Sequence, residues 1–283
     1  MRSGIMRTTS IVREFSMKGI DTTWSPSYKP LHNVTKRGRV FMNRSVGLTV
    51  LLLGLGAANA AQAASGCAIP ALAALVQAQL KTVVNLSDGN GGLFKPNRMW
   101  SAVVDRKGVL CSVLSTTDFA PSLDVWPGSR AIAIAKAGTA NDFSNSTLAL
   151  STTNLYGPTQ PGGSLWGLNN SNPFNPAELP AAGNAAGTTP GGIITFGGGV
   201  ALYQNGHVVG GLGVSGDSSC ADHAIAFRMR KLAGYDSVPS GVAPDDTDNI
   251  IYAPAGKAPT GFEQPHCFPS DLTPSQVENI PPH

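Results

Sequence analysis

Residues 207–231 read HVVGGLGVSGDSSCADHAIAFRMRK, with a G-x-G-x-x-G pattern at Gly211, Gly213 and Gly216 between an apolar run and a helical one. In a dinucleotide-binding fold this pattern lies in the turn after a parallel strand, with an acidic residue about 20 positions on to hold the ribose. Asp236 satisfies that count, but the preceding residues decide against it. GGGVALYQNGHVVGGLGVSG (197–216) reads as a strand, an Asn205-Gly206 turn and a second strand, because Asn-Gly between two apolar runs is a strong hairpin signal. Gly211 and Gly213 then lie inside the second arm of an antiparallel hairpin, and the proline-punctuated tail cannot supply another βα unit. Glycine within a strand lets a flat ligand, a backbone or a helix approach closely. Gly197, Gly198, Gly199, Gly210 and Gly211 fall on both arms, so the strip is either a ligand seat or the seat of a helix.

The segment after the hairpin reads as a helix that starts at Ser219, forms a capping box with Asp222 and stops at Gly234. Upstream, PGSRAIAIAKAGTANDFS (127–144) opens with Pro127 and Ser129 and is rich in alanine, which suits a helix lying close on a sheet. IPALAALVQAQLKTVVNL (69–86) places Leu72, Leu75, Val76, Leu80 and Val83 at helical spacing behind Pro70. RMWSAVVDR and GVLCSVLS form a hairpin around Arg106, Lys107 and Gly108. Residues 145–192 read as a long loop insertion; its Tyr156, Leu165, Trp166 and Phe174 are more apolar weight than a linker needs. Residues 235–283 read as an extended tail.

The amino end has its own grammar. MNRSVGLTVLLLGLGAANAAQAASGC (42–67) has a basic start, an apolar run from Val46 to Ala58 and small residues at Ala61 and Ala63, the pattern of a cleaved export signal. Residues 1–63 are therefore read as a non-native start plus signal, with Met42 as the true start and cleavage near Ala63. Residues 64–283 remain as a single domain. The apolar run is too short for a permanent bilayer helix, so no stable membrane span is expected after cleavage. Location is expected to be periplasmic or secreted. Residues 64–283 carry 11 Lys and Arg against 15 Asp and Glu, a net of −4, and this acidic balance argues against nucleic acid as a partner.

Cys67, Cys111, Cys220 and Cys267 show no C-x-x-C spacing, so in an oxidising compartment they read as two disulfides. Of the three pairings, the expected one joins Cys220 to Cys267, pinning the tail to the last helix, and Cys67 to Cys111, tying the amino end to a strand.

Several blocks in order, AVVDRKGVL, SRAIAIAKAGTANDF and the hairpin-helix stretch 197–226, resemble the GlcG/HbpS haem-binding family over about residues 70–234. The matching positions include Asp105, Lys136, Thr139, Gly198, Gly199, Gly213 and Asp222. The resemblance implies an α+β, profilin-like α/β/α fold with a central antiparallel sheet of about five strands. It also implies a homo-oligomer and haem, or a related tetrapyrrole, as cofactor. Departures are Ala201 where the family has proline, the long loop, the cysteine-bearing tail, and no His between residue 64 and His207.

For haem, Lys136, Thr139, Gly198, Gly199, Gly213 and Asp222 are the candidate contacts, Lys136 as a propionate partner or, in a purely structural role, a salt bridge to Asp105 or Asp222. Iron accepts an imidazole ligand, and His223 and His266 rank ahead of His207 as its donors. No residue is assigned a catalytic role: Gly213-Val214-Ser215-Gly216 is not a nucleophile elbow, and the adjacent Asp222 and His223 point apart on a helix. The expected function is an exported haem- or tetrapyrrole-binding protein in haem or iron sensing, storage or scavenging. The rivals are an assembly module without a ligand and a haem-degrading or small-metabolite enzyme.

Overall fold

The computed structural model describes residues 66–175, 186–253 and 261–281. The export-signal reading at 42–63 lies outside them. Helix α1 (Pro70–Val84) is followed by strands β1 (Trp100–Asp105) and β2 (Leu110–Ser115), helix α2 (Ser129–Asp142) and a single turn, α3 (Tyr156–Thr159). Strands β3 (Gly199–Gln204) and β4 (His207–Ser215) and helices α4 (Ser219–Leu232) and α5 (Pro274–Glu278) complete the order.

The sheet runs β2-β1-β4-β3, and all three pairings are antiparallel. Asn205 and Gly206 turn β3 into β4 with φ of 52° and 77°, the double positive φ that matches strand twist in a two-residue hairpin. Side chains alternate between faces along each strand. Val103, Val200, Leu202, Leu212 and Val214 meet Leu80 and Val83 of α1 and Ile225 and Met229 of α4 on one face. Ala102, Val104 and Leu110 meet Ala133, Ile134 and Ala137 of α2 on the other. The result is the α/β/α layering expected of an α+β, profilin-like fold.

Four strands form among the described residues, rather than about five. Irregular segments occupy both sheet edges instead. Leu110 exchanges hydrogen bonds with Thr188 and Gly187 at 2.8 and 2.7 Å, and the Tyr203 amide donates to the Tyr235 carbonyl at 2.8 Å beside an isolated bridge to Asp236. Partial pairing of this kind blunts a sheet edge without adding a strand. Asp236, which satisfied the ribose count, sits on this edge.

Gly199 and Gly211 of the glycine strip, with Gly213, form a helix seat on the α2 face, whereas a Cβ on Gly197 would meet the Ser219 carbonyl of α4 and one on Gly210 the Val104 carbonyl and Ile69. A Cβ on Gly211 would collide with the Ala137 carbonyl, one on Gly213 with that of Ala133, and one on Gly199 with that of Lys136. The alanines of α2 bring its backbone down, and the glycines let it land.

Other details depart from expectation. Leu75 is 55% exposed while Leu72, Val76, Leu80 and Val83 are buried, so the apolar stripe of α1 is narrower than its sequence. The cap of α4 is Ser218, whose hydroxyl accepts from the Ala221 amide; Asp222 is drawn away to another partner. The tail contains α5, begun by Thr273 and Gln276 as a reciprocal capping box with Pro274 in its first turn. The long loop and tail are tied together: Ala149 donates to the Ser240 carbonyl at 2.8 Å, and Ser151 Oγ to that of Asp248 at 2.6 Å. No helix among the described residues is long and apolar enough to cross a membrane.

Candidate functional site

Lys136 leaves α2 toward the end of β4, where its Nζ donates to Asp222 Oδ2 at 2.7 Å and to the Val214 carbonyl at 3.1 Å. The ammonium lies 4.8 Å from the Phe196 ring centre. Asp222 Oδ1 accepts from the Asp217 amide at 3.0 Å. Gly198, at φ 121°, passes between them; a Cβ there would meet the Val214 carbonyl and Lys136 Nζ. Both charged side chains are buried, at 0% and 2% exposure. Burial pushes the Asp222 carboxyl up to about 6 against the pull of Lys136, and it draws the Lys136 pKa down. The structural partner of Lys136 is thus Asp222, while Asp105 is engaged by the amides of Ala68, Lys107 and Val109.

Gly199 and Gly213 belong to the seat of α2. Thr139 donates its hydroxyl proton to the Ala135 carbonyl at 2.8 Å and accepts from the Ile194 amide at 3.0 Å. Lys136, Asp222 and Gly198 therefore meet in one closed cluster, and Thr139, Gly199 and Gly213 lie along the same helix seat.

The three candidate imidazoles occupy different environments. His207 is exposed beside the hairpin turn, its Nδ1 3.2 Å from Ser146 Oγ. His223 is fully buried on the first turn of α4, with Nε2 3.3 Å from Asn249 Oδ1 and Nδ1 without a partner. Burial pulls its pKa down to about 4, despite the nearby Asp248 carboxylate, which is itself held bidentately by Arg230 at 2.6 and 2.8 Å. None of the cavities described below borders His223.

His266 lies on the surface. Its ring stacks on Tyr252 with centres 3.8 Å apart and planes 10° off parallel, and its Nδ1 lies 3.3 Å from Asp271 Oδ2. The same carboxylate oxygen accepts from the amides of Cys267 and Phe268 at 2.6 and 3.1 Å, which fixes the turn. Cys267 in turn is bonded to Cys220 on α4, and Cys67 is bonded to Cys111, so both expected pairs form. His266 is 59% exposed and borders an open cavity of about 440 Å³ with Phe268, Pro269 and Asp271. An imidazole whose Nδ1 is held by a carboxylate presents Nε2 as a ligand.

A second cavity, about 420 Å³, lies between Phe143, Leu150, Leu155, Pro158, Leu165 and Phe262. Its walls are apolar and it carries no imidazole. Tyr252 and Asp271 were not among the residues read from the sequence. Tyr252 carries no local signal, and Asp271 reads only as part of a Pro-Ser-Asp turn. Asn249 and Asp248 likewise enter only through the way the tail folds back over α4.

Comparison with known proteins bears on the domain. Residues 95–230 match the model of a family described as haem degrading protein HbpS-like. A search of curated proteins finds no match. Among solved structures, the Klebsiella pneumoniae protein ORFY aligns at 23% identity and a TM-score of 0.41, covering 58% of this chain and 89% of its own. A PduOC–haem complex aligns at 25% identity and 0.39, covering 56% and 91%. A double mutant of Streptomyces reticuli HbpS aligns at 17% and 0.37, covering 65% and 95%. The family match takes in Lys136, Thr139, Asp222 and His223 and ends before the tail that carries His266. Over residues 95–230, from the approach to β1 into α4, the chain is similar to the HbpS-like family.

Proposed function

We propose that this protein is an exported haem- or tetrapyrrole-binding member of that family, acting in haem or iron sensing, storage or scavenging, and that His266 is its axial imidazole. The observation that carries the assignment is the His266 arrangement: Asp271 on Nδ1, Tyr252 stacked beneath the ring, and a cavity of about 440 Å³ alongside. Haem supplies ligand-binding and one-electron iron chemistry when bound. The chain's own residues orient the donor: Asp271 holds the Nδ1 proton, Tyr252 fixes the ring plane, and Cys267 anchors the turn to α4. Two disulfides support the exported location, since such bonds persist in oxidising compartments. Trp126 and Trp166, 60% and 64% exposed, are surfaces suited to a homo-oligomer.

One observation favours the rival assembly module. The Lys136–Asp222–Gly198 cluster is closed, and Lys136 already has its carboxylate, so it offers no ready cation to a propionate. Titration of residues 64–283 with ferric haem separates the readings. A saturable, stoichiometric Soret shift supports haem binding. Absorbance that rises without saturation leaves the assembly module in front.

A further inference from the structure

Among the described residues, two groups of three ligand-type side chains bring their ligand atoms within 4.8 Å of one another: Cys67, Asp105 and Cys111, and Cys220, Cys267 and Asp271. They are not equivalent. Asp105 is spent on backbone amides, with Oδ1 accepting from Lys107 and Val109 and Oδ2 from Ala68. Asp271 uses only Oδ2 for its turn and for His266. Its Oδ1 is buried without a partner, a condition that ordinarily costs free energy.

The sulfurs of the second group sit among donors. Cys267 Sγ accepts from the Cys220 amide at 3.2 Å in the first turn of α4, with Ser219 Oγ 3.3 Å away. Cys220 Sγ accepts from the Gln264 side-chain amide at 3.4 Å. Donors of this kind stabilise negative charge on sulfur. The open cavity bordered by His266, Cys267 and Asp271 supplies an entry path.

We propose that Cys220, Cys267 and Asp271 form a divalent-cation site of the zinc class once their disulfide is reduced. Two thiolates and a carboxylate suit a borderline-soft cation, which takes sulfur at about 2.3 Å and oxygen at about 2.0–2.2 Å. The fourth position opens on the cavity, where water or His266 completes it. An external dithiol provides two electrons and becomes its own disulfide, while the Cys220–Cys267 S–S bond breaks. The two protein thiols then release two protons to solvent as the cation binds. The same cysteines thus clamp the tail to α4 in either state, by a covalent bond or through a metal. The haem reading is not required for this site.

The test uses the full chain with Cys67→Ser and Cys111→Ser, reduced by a phosphine and titrated with Co²⁺ in the absence of haem. One equivalent should bind with thiolate-to-cobalt charge-transfer absorption, be displaced by Zn²⁺ and vanish on reoxidation. Asp271→Asn, which keeps an acceptor for the turn but removes the charge, should weaken binding about tenfold or more. Zn²⁺ should also raise the melting temperature of reduced wild-type protein and not that of the oxidised form. Absence of the charge-transfer band overturns the proposal, as does a band unchanged by Asp271→Asn. A reduced protein that unfolds and does not refold with Co²⁺ overturns it as well.

Discussion

Lys136 and Asp222, 86 positions apart, meet at 2.7 Å with both side chains removed from water. This pair joins α2 to α4 through the end of β4, so it fastens the two helical layers across the sheet. Removing one partner strands a buried charge, which typically costs about 3–5 kcal/mol. Lys136→Met and Asp222→Leu should each approach that loss in urea unfolding, while the double variant should recover much of it. A double variant as unstable as the sum of the singles would show that the pair is not a closed unit.

The seat of α2 makes a paired prediction. Gly213→Ala places a Cβ against the Ala133 carbonyl, and overpacking against backbone that cannot yield should cost about 3 kcal/mol or more. On α2 itself, a Cβ at Gly138 meets nothing within 4 Å, so Gly138→Ala should stabilise by about 0.8–1 kcal/mol through helix propensity alone. Denaturant midpoints measure both, and equal effects would contradict the assignment of the glycine strip to helix packing.

Much of this arrangement is legible in the sequence, and the illegible part has a common cause. Asn205-Gly206, Pro70 and Gly234 act within a few residues, so a hairpin, a helix start and a helix stop can be read from them. The alanine-rich helix and glycine-rich strand are each visible, but which object fills the strip depends on a face chosen by the tertiary fold. Lys136 offered Asp105 or Asp222 for the same reason. His266 gains its setting from Tyr252 and from a turn locked by Asp271, and neither contact follows from periodicity. Leu75 fits the helical stripe yet stays exposed, because the layer formed with α4 covers a narrower face.

His223 should remain neutral well into the acid range. Its pKa lies near 4 because burial disfavours the imidazolium, against an ordinary value of about 6.5. The unfolded chain therefore binds more protons between those limits, so this residue's contribution to stability is fully present above pH 6.5. It is lost as pH falls toward 4, by about 3 kcal/mol in total. NMR titration of the ring should place its midpoint near 4; a midpoint near 6.5 would show a hydrated imidazole and a more open α4.

The Cys220–Cys267 bond closes a span of 47 positions. Chain-entropy arguments assign such a cross-link about 4 kcal/mol. Cys220→Ser with Cys267→Ser, studied without added metal, should lose about that much in guanidinium unfolding, and proteolysis should cut the tail before the sheet. Simultaneous loss of both would indicate that tail and domain unfold as one.

The measurement that bears most directly on the proposed axial donor is chemical rescue of ferric haem binding in His266→Gly, followed by Soret absorbance with and without free imidazole. The wild type should bind one equivalent, the variant should lose the saturable shift, and added imidazole should restore it, while His207→Ala behaves as wild type. Undiminished binding by His266→Gly would contradict the assignment and return attention to His223.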